Sequence, residues 1–342
     1  MKKFLIVPCL LSVVCSFSQD IHFTQLSETP QLINPGLTGF YDGYYRGIIN
    51  YRNQWPAMGK SYNTFMGAFD MPLEMKKKKG AYIGAGLYFF SDGAGDVHFG
   101  TTQGNLSVSA ILPVSEKSKF SMGLQFGLVQ RSLNMSDIQW PNQYNGQSYD
   151  PGISSNESLT KTSFLFFDLG AGANYELLTK SGTLDGSDII RFDMGASIFH
   201  ATMPLQNFST ATSEKQYLKT IIHSSLRYDI PGTKFGVVPS ALYVLQGPAQ
   251  EILFGTLVRY KINQGTKVTG FGTESAISAG VHYRFKDAIC PQVYLEFADY
   301  AIGLSYDFNA SSYGEVKRSA GAFEISIRYA NMKGAARKSK AP

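Results

Sequence analysis

The chain has 342 residues, with 31 basic against 26 acidic side chains for a formal charge of +5, and a charged fraction of 17%, low beside the roughly one quarter usual in soluble domains. Aromatic residues make up 13% and glycines number 34, and their even spread excludes a disordered chain. Beyond the first residues no stretch reaches the roughly 18 uninterrupted apolar residues of a membrane-spanning helix, which excludes a helical membrane protein.

Residues 1–18 read as a signal peptide. Lys2 and Lys3 give the positive start, Phe4 through Val14 the apolar core, and Ser16-Phe17-Ser18 the small residues that a signal peptidase reads. The expected cut precedes Gln19. A short buried helix is the alternative, and Cys15 raises a lipoprotein reading, which the Val13-Val14 before it does not support. Cleavage leaves 324 residues, a charge of +3 and one cysteine, Cys290. That leaves no intramolecular disulfide and no cysteine-based metal site, and the charge is too small and scattered for a nucleic-acid partner.

Residues 19–44 carry Ile21, Phe23, Leu26, Leu32, Ile33, Leu37, Phe40 and Tyr41, punctuated by Pro30 and Asn34-Pro35-Gly36. The punctuation predicts turns rather than a strand, and so many apolar groups do not remain in water. We expect a periplasmic N-terminal segment that enters the mouth of the following domain as a candidate plug.

From residue 45 to 330 the sequence alternates. Phe120, Met122, Leu124, Phe126 and Leu128 interleave with Ser121, Gly123, Gln125 and Gly127; Ile277 through Phe285, Ile302 through Phe308 and Phe323 through Tyr329 repeat the pattern. Successive strand side chains point to opposite faces, so each run is a ribbon with one apolar and one polar side. Fourteen such ribbons are predicted: 45–54, 61–70, 81–91, 101–113, 119–132, 162–175, 190–200, 219–229, 234–245, 250–262, 274–285, 290–297, 300–308 and 319–330. Most have the roughly 9 to 11 residues of a tilted membrane-crossing strand. A soluble sandwich or propeller would bury the apolar face; a barrel turns it to lipid. The signal, small residues on the polar face and aromatic strand ends favour an all-β, antiparallel outer-membrane barrel of about 14 strands with both termini periplasmic.

Link lengths agree with that topology. The longest, 133–161 and 201–218, both follow odd-numbered strands and so fall outside the cell, while short links such as Pro231 to Thr233 and Ala298-Asp299 fall on the periplasmic side. Segments 176–189 and 263–273 are long for periplasmic turns.

Catalytic signatures are sparse. His22, His98, His200, His223 and His282 show no metal-ligand spacing, and no Gly-x-Ser-x-Gly elbow occurs. Gly84-Ala85-Gly86 and Gly170-Ala171-Gly172 lie inside alternating strands, where inward-facing barrel glycine is the simpler reading than a dinucleotide loop. A surface Ser/His phospholipase pair has no standout candidate. We expect no enzyme, no cofactor and no metal.

The polar faces carry charge of both signs: Arg46, Arg52, Arg227, Asp229, Arg259, Lys261, Arg284, Glu296, Asp307, Glu324 and Arg328. Mutually paired lumen charges are one reading, and the lining of an open pore is the other. Lys76, Lys77, Lys78 and Lys79 form a candidate periplasmic docking patch, and a basic tail, 331–342, carries Lys333, Arg337, Lys338 and Lys340; solvated turns and termini have the same composition. In the 133–161 link, Trp140, Tyr144, Tyr149 and Ile153 are the candidate partner-binding residues, because large aromatic groups dominate interface hot spots. A loop folded over its own barrel is the alternative.

Both ends of the chain also resemble a known family. Gln19-Asp20-Ile21-His22-Phe23-Thr24-Gln25, Pro30, Asn34-Pro35-Gly36, Gly39, Arg46, Tyr51-Arg52-Asn53-Gln54-Trp55 and Phe69-Asp70-Met71-Pro72 resemble the opening of the PorP/SprF proteins of type IX secretion. Asp287-Ala288-Ile289, Gly303 through Asn309 and Gly321 through Tyr329 resemble their close. Gly36 stands where the family more often has Ala, and the tail after Tyr329 is longer than usual. The resemblance implies a non-enzymatic outer-membrane barrel of Bacteroidota, in the secretion and gliding machinery. Implied partners are a large secreted surface adhesin with a type IX C-terminal domain, periplasmic or outer-membrane components of the machinery, and outer-membrane lipid. A passive channel for hydrophobic or small polar solutes is the rival function.

Overall fold

The computed structural model describes residues 20–56, 61–73, 80–94, 99–133, 140–156, 162–183, 186–206, 215–263, 275–310 and 321–331. Fourteen strands occur among them: β1 (Arg46–Gln54), β2 (Tyr62–Leu73), β3 (Tyr82–Ala94), β4 (Phe99–Ser115), β5 (Ser118–Ser132), β6 (Ser163–Thr183), β7 (Gly186–Phe199), β8 (Lys219–Asp229), β9 (Phe235–Gln246), β10 (Ala249–Asn263), β11 (Ser275–Arg284), β12 (Ala288–Phe297), β13 (Tyr300–Asn309) and β14 (Ala322–Ala330). Each pairs with its sequence neighbours, and β14 returns to β1 to close the barrel. The closing seam is antiparallel and sets Arg46 opposite Ala330 and Arg52 opposite Glu324.

Alternation determines which side chain meets which environment. Along β4 and β5 the polar residues Ser107 and Gln125 are 1% and 2% exposed, whereas Leu106 and Leu124 on the opposite face are 62% and 56% exposed. The outer wall is thus a continuous apolar surface of the kind a bilayer solvates, and the lumen is polar.

One expected loop is strand. Residues 176–183 continue β6 and residues 186–189 begin β7, and the two pair without a break from Ala171↔Ile198 to Thr183↔Gly186. The reason lies in the neighbours: β5 pairs with β6 only as far as Leu177, and β8 pairs with β7 only from Ile190 onward. Past those points the hairpin is a two-stranded extension of the wall with no flanking strand among the described residues, so its sequence is not held to the apolar-polar alternation of the closed wall. Residues 1–18, 74–79, 264–274 and 332–342, which include the expected signal, the four-lysine link and the basic tail, lie outside the described residues.

All links from odd to even strands lie at one mouth, hereafter the long-loop mouth, and all links from even to odd strands at the other, the short-turn mouth. Residues 20–44 run inside the barrel between them. Asp20 lies at the long-loop mouth, where its main-chain N–H donates to Gln246 at the end of β9. Tyr44 lies at the short-turn mouth, where its N–H donates to the Asn331 carbonyl just after β14 (3.0 Å). The described chain therefore starts and ends at opposite mouths, which corrects the expectation of one periplasmic side for both ends. Turn punctuation in a sequence says that a segment bends; it does not say how far it advances.

Candidate functional site in the barrel lumen

The N-terminal segment has little regular structure of its own: single 3-10 turns at Leu26–Glu28 and Pro35–Leu37 and one α turn at Pro30–Ile33. Proline opens the last two, where its missing N–H costs nothing. The Asn34 side chain accepts the Gly36 N–H (2.8 Å), which fixes the bend between them. Gly39 takes φ +64°, and a β-carbon there would lie 2.7 Å from the Gly84 Cα, so the position requires glycine on both counts.

A segment so poor in internal hydrogen bonds must satisfy its main chain elsewhere, and it does so on the wall. The Glu324 carboxylate accepts the N–H groups of Thr24 (2.8 Å) and Gln25 (3.2 Å), and Asp70 accepts that of Gly39 (2.7 Å). Gln292 donates to the Thr24 carbonyl (3.1 Å) and Asn50 to that of Glu28 (2.9 Å). Ser197, Ser121 and Ser109 donate to the carbonyls of Ile33, Gly36 and Thr38, each at 2.6 Å. Glycines in the wall let the chain approach this closely: a β-carbon at Gly123 would sit 2.3 Å from the Pro35 carbonyl carbon.

Apolar side chains of the segment pack against the wall in two clusters. Ile33 packs with Phe199, Ile221, Leu242 and Leu253, and Phe23 with Met66, Tyr88 and Phe90.

Around Thr24 the lumen charges converge. Arg52 pairs with Glu324 and with Asp307 (3.0 Å), and Arg284 pairs with Asp307 (3.0 Å) and Glu251 (3.4 Å). The Thr24 hydroxyl sits between them, accepting from Arg284 (2.6 Å) and donating to Asp307 (3.0 Å). Elsewhere Arg46 grips Asp70 through two hydrogen bonds (2.9 and 2.7 Å), and Arg328 bridges Glu28 of the segment (2.9 Å) and Glu296 (3.4 Å). Arg259 also pairs with Glu296 (2.7 Å), while Arg227 and Lys261 share Asp229 (3.2 and 2.9 Å). Buried charges persist when paired and hydrogen-bonded in this way.

Two clamps hold the segment at the mouths. At the long-loop mouth the Asp20 carboxylate meets His200 (2.5 Å), Lys219 (3.7 Å) and the Gln246 amide (3.0 Å), and His200 pairs on its other nitrogen with Asp168 (2.9 Å). Burial disfavours the charged imidazole, but Asp20 and Asp168 outweigh it and raise His200 to about 9. Burial likewise works against the Asp20 charge, and His200 and Lys219 outweigh it, holding that carboxyl below its ordinary range. At the short-turn mouth Asp42 pairs with Lys119 (3.1 Å) and Arg191 (2.9 Å), both of which also reach Glu176.

A family model described as type IX secretion system membrane protein PorP/SprF matches residues 15–329. The chain belongs to the PorP/SprF family. No curated protein is significantly similar to it. Among solved structures, the CymD monoaromatic hydrocarbon channel is 10% identical with a TM-score of 0.45, covering 90% of this chain and 94% of CymD. The β domain of the Bordetella autotransporter BrkA is 11% identical with a TM-score of 0.41, covering 84% of this chain and 99% of that domain. BamA from Haemophilus ducreyi lacking POTRA domains 1–3 is 10% identical with a TM-score of 0.40, covering 84% and 70%. A 14-stranded barrel and a secretion-system membrane family together fit the outer membrane.

The structure brings Arg52, Arg284, Asp307 and Glu324 of this PorP/SprF chain into one cluster, and Glu296 and Arg328 into a second that reaches Glu28. Arg46 pairs with Asp70, and Arg227 shares Asp229 with Lys261, apart from both clusters. Trp140, Tyr144, Tyr149 and Ile153 lie together, far from these charges along the chain, in a loop that organises itself. Its hydrogen bonds join Asp150 N–H to the Gln143 carbonyl (2.8 Å) and the Gln143 side chain to the Ile153 carbonyl (2.9 Å), and Tyr144 bridges to Tyr149. Tyr144 is 57% exposed. Sequence reasoning did not single out Asp20, Asp168, His200 and Lys219 as a unit, or Asp42, Lys119, Glu176 and Arg191. Their one legible signal was the family motif that contains Asp20.

Proposed function

We propose that this PorP/SprF chain is a non-enzymatic, closed outer-membrane barrel that serves type IX secretion through its surfaces, holding a large secreted adhesin at the cell exterior. The observation that carries this reading is the segment 20–44, whose contacts reach wall residues from β1 to β14 and occupy the lumen from mouth to mouth. A lumen filled in this way weighs against a passive channel for solutes. The long-loop face is then the working surface, and Trp140, Tyr144, Tyr149 and Ile153 offer rigid aromatic contact area on a loop already ordered by its own hydrogen bonds. Contact with periplasmic components of the machinery would fall at the short-turn mouth, the side of the link that carries Lys76 to Lys79. An exported chain of Bacteroidota, with its signal removed before Gln19, and a role in gliding through the displayed adhesin complete the reading.

The test is display. The double variant Trp140→Ala, Tyr149→Ala is expected to keep heat-modifiable gel migration and membrane insertion while the adhesin is lost to the medium or retained inside the cell. Normal adhesin display on cells carrying only the double variant contradicts the assignment of this loop.

A further inference from the structure

The lipid-facing wall has a hollow in it. Residues paired across neighbouring strands share a face, so outward side chains lie in rows around the barrel. One row sets Met194 opposite Ser224, Ser224 opposite Ala241, Ala241 opposite Phe254 and Phe254 opposite Tyr283. The next row, one step nearer the short-turn mouth, sets Phe192 opposite Leu226, and Thr256 opposite both Pro239 and Val281. The middle members, Ser224, Ala241, Pro239 and Thr256, are small, and the flanking ones are large. Together they shape a trough of about 570 Å³ over β8 to β10. Proline accounts for its depth. The β8–β9 pairing reaches Ser225↔Ser240 and resumes at Tyr228↔Val237, and Pro239, with no N–H to donate, falls in the gap. Ser225 and Ser240, whose side chains face the lumen, also line the trough, so its floor reaches the main chain.

None of the lining residues is charged, and the trough lies between the two mouths on the face that the bilayer covers, so its occupant comes from within the membrane. Its upper end is different. Phe254 meets Tyr283 edge-on (5.8 Å), Tyr283 meets Phe285 edge-on (6.3 Å), and the Lys286 Nζ lies 5.3 Å from the centre of the Phe285 ring. The Tyr283 hydroxyl accepts the Lys286 N–H (3.2 Å), which fixes the exposed lysine at the long-loop rim, while the adjacent Asp287 pairs with Arg284 (3.2 Å). An uncharged trough in the hydrocarbon thus leads along an aromatic path to a cation at the water interface. A lipid has the same layout, with its chain below and its charge above.

We propose that this trough binds one acyl chain of an anionic, phosphate-bearing membrane lipid, with Lys286 holding the headgroup at the long-loop rim. A chain leaving the bilayer for the trough exchanges one apolar environment for another, so the preference comes from packing and from the headgroup charge rather than from the hydrophobic effect. The site does not depend on the adhesin role proposed above, and its test uses no adhesin.

The experiment uses the full chain, purified in detergent, checked for heat-modifiable migration and placed in phosphatidylcholine vesicles. These carry a trace of a photoactivatable lipid with a diazirine in the acyl chain and either a phosphatidylglycerol or a phosphatidylcholine headgroup. Labelled residues are mapped by mass spectrometry. Labels are expected to concentrate at Leu226, Phe254 and Tyr283 over Leu106 and Leu124 on β4 and β5, and the glycerol lipid should label the trough about fivefold more than the choline lipid, the effect of one interfacial lysine. Ser224→Leu with Ala241→Leu fills the floor with groups that lipid solvates, and should bring trough labelling by both lipids down to the level of Leu124. Lys286→Gln should abolish the headgroup preference and leave labelling by the choline lipid unchanged. Trough labelling no stronger than that of Leu106 and Leu124 in the wild type would mean annular lipid only and overturns the proposal, as does concentrated labelling that survives the filled floor. A headgroup preference that persists in Lys286→Gln overturns the role of the lysine, and that arm stands even where the filled variant fails to fold.

Discussion

The outer wall and the lumen are two faces of the same fourteen strands, and they are built on different principles. Outside, neighbouring positions repeat one chemistry: Leu106, Val108, Leu124, Phe126, Leu165 and Phe167 are all exposed and all interchangeable as apolar groups. Inside, each position has its own partner, often from the far end of the chain, as when Thr24 meets Asp307 and Glu324. The wall tolerates any residue that lipid solvates and rejects charge. The lumen accepts charge and rejects the loss of a partner.

The largest effect should come from breaking a lumen partnership. Replacing Glu324 with Ala leaves Arg52 buried beside a single remaining carboxylate and frees the N–H groups of Thr24 and Gln25, a loss of about 3 to 5 kcal/mol by analogy with other broken buried ion pairs. Urea unfolding in detergent or lipid, compared with wild type, checks it; a loss below about 1 kcal/mol would mean that water already reaches the cluster. On the wall, Leu124→Arg should cost about 2 to 4 kcal/mol if the residue sits near the bilayer midplane and less toward either rim. The same unfolding assay reads it, and a free energy unchanged by the arginine would place that strand face away from lipid.

A smaller and reversible effect concerns the long-loop clamp, where Asp20 faces His200, Lys219 and, at longer range, Arg131, and His200 also faces Asp168. His200 is raised from 6.5 to about 9, so its stabilisation is complete below pH 6.5 and is lost as the pH rises through 9. Asp20 is shifted the other way, so its contribution holds above pH 3.8 and is lost as the pH falls below it. Hydrogen exchange at residues 20–26 should accelerate between pH 7 and pH 10 beyond the intrinsic base catalysis, and His200→Gln should flatten that extra rise. Identical pH profiles for the two proteins would remove His200 from the clamp.

The same contrast explains what could be read from sequence. The wall is periodic, and twelve of its strands start within two residues of the spans drawn from alternation alone; β7 begins four residues early and β14 three residues late. The misreading of 176–189 falls where the hairpin leaves the closed wall and alternation stops being required. Lumen contacts have no period, because single turns separated by proline and glycine place side chains at irregular intervals. What was legible there came from motifs: Thr24-Gln25, Asn34-Pro35-Gly36, Arg52, Asp70, Asp307 and Glu324 all belong to the stretches that resemble PorP/SprF proteins, and the fold brings these separate stretches together around one segment. His200 carried no such mark. It looked like one of several scattered histidines, since its partners Asp20 and Asp168 lie 180 and 32 positions away.

The central claim is that residues 20–44 close the lumen. Planar-bilayer conductance of the full-length chain beside a variant lacking residues 20–39 tests it most directly. A silent full-length barrel and a deletion variant with steady, large conductance steps are the predicted pair; a full-length barrel that already conducts as freely as the deletion variant would contradict the account.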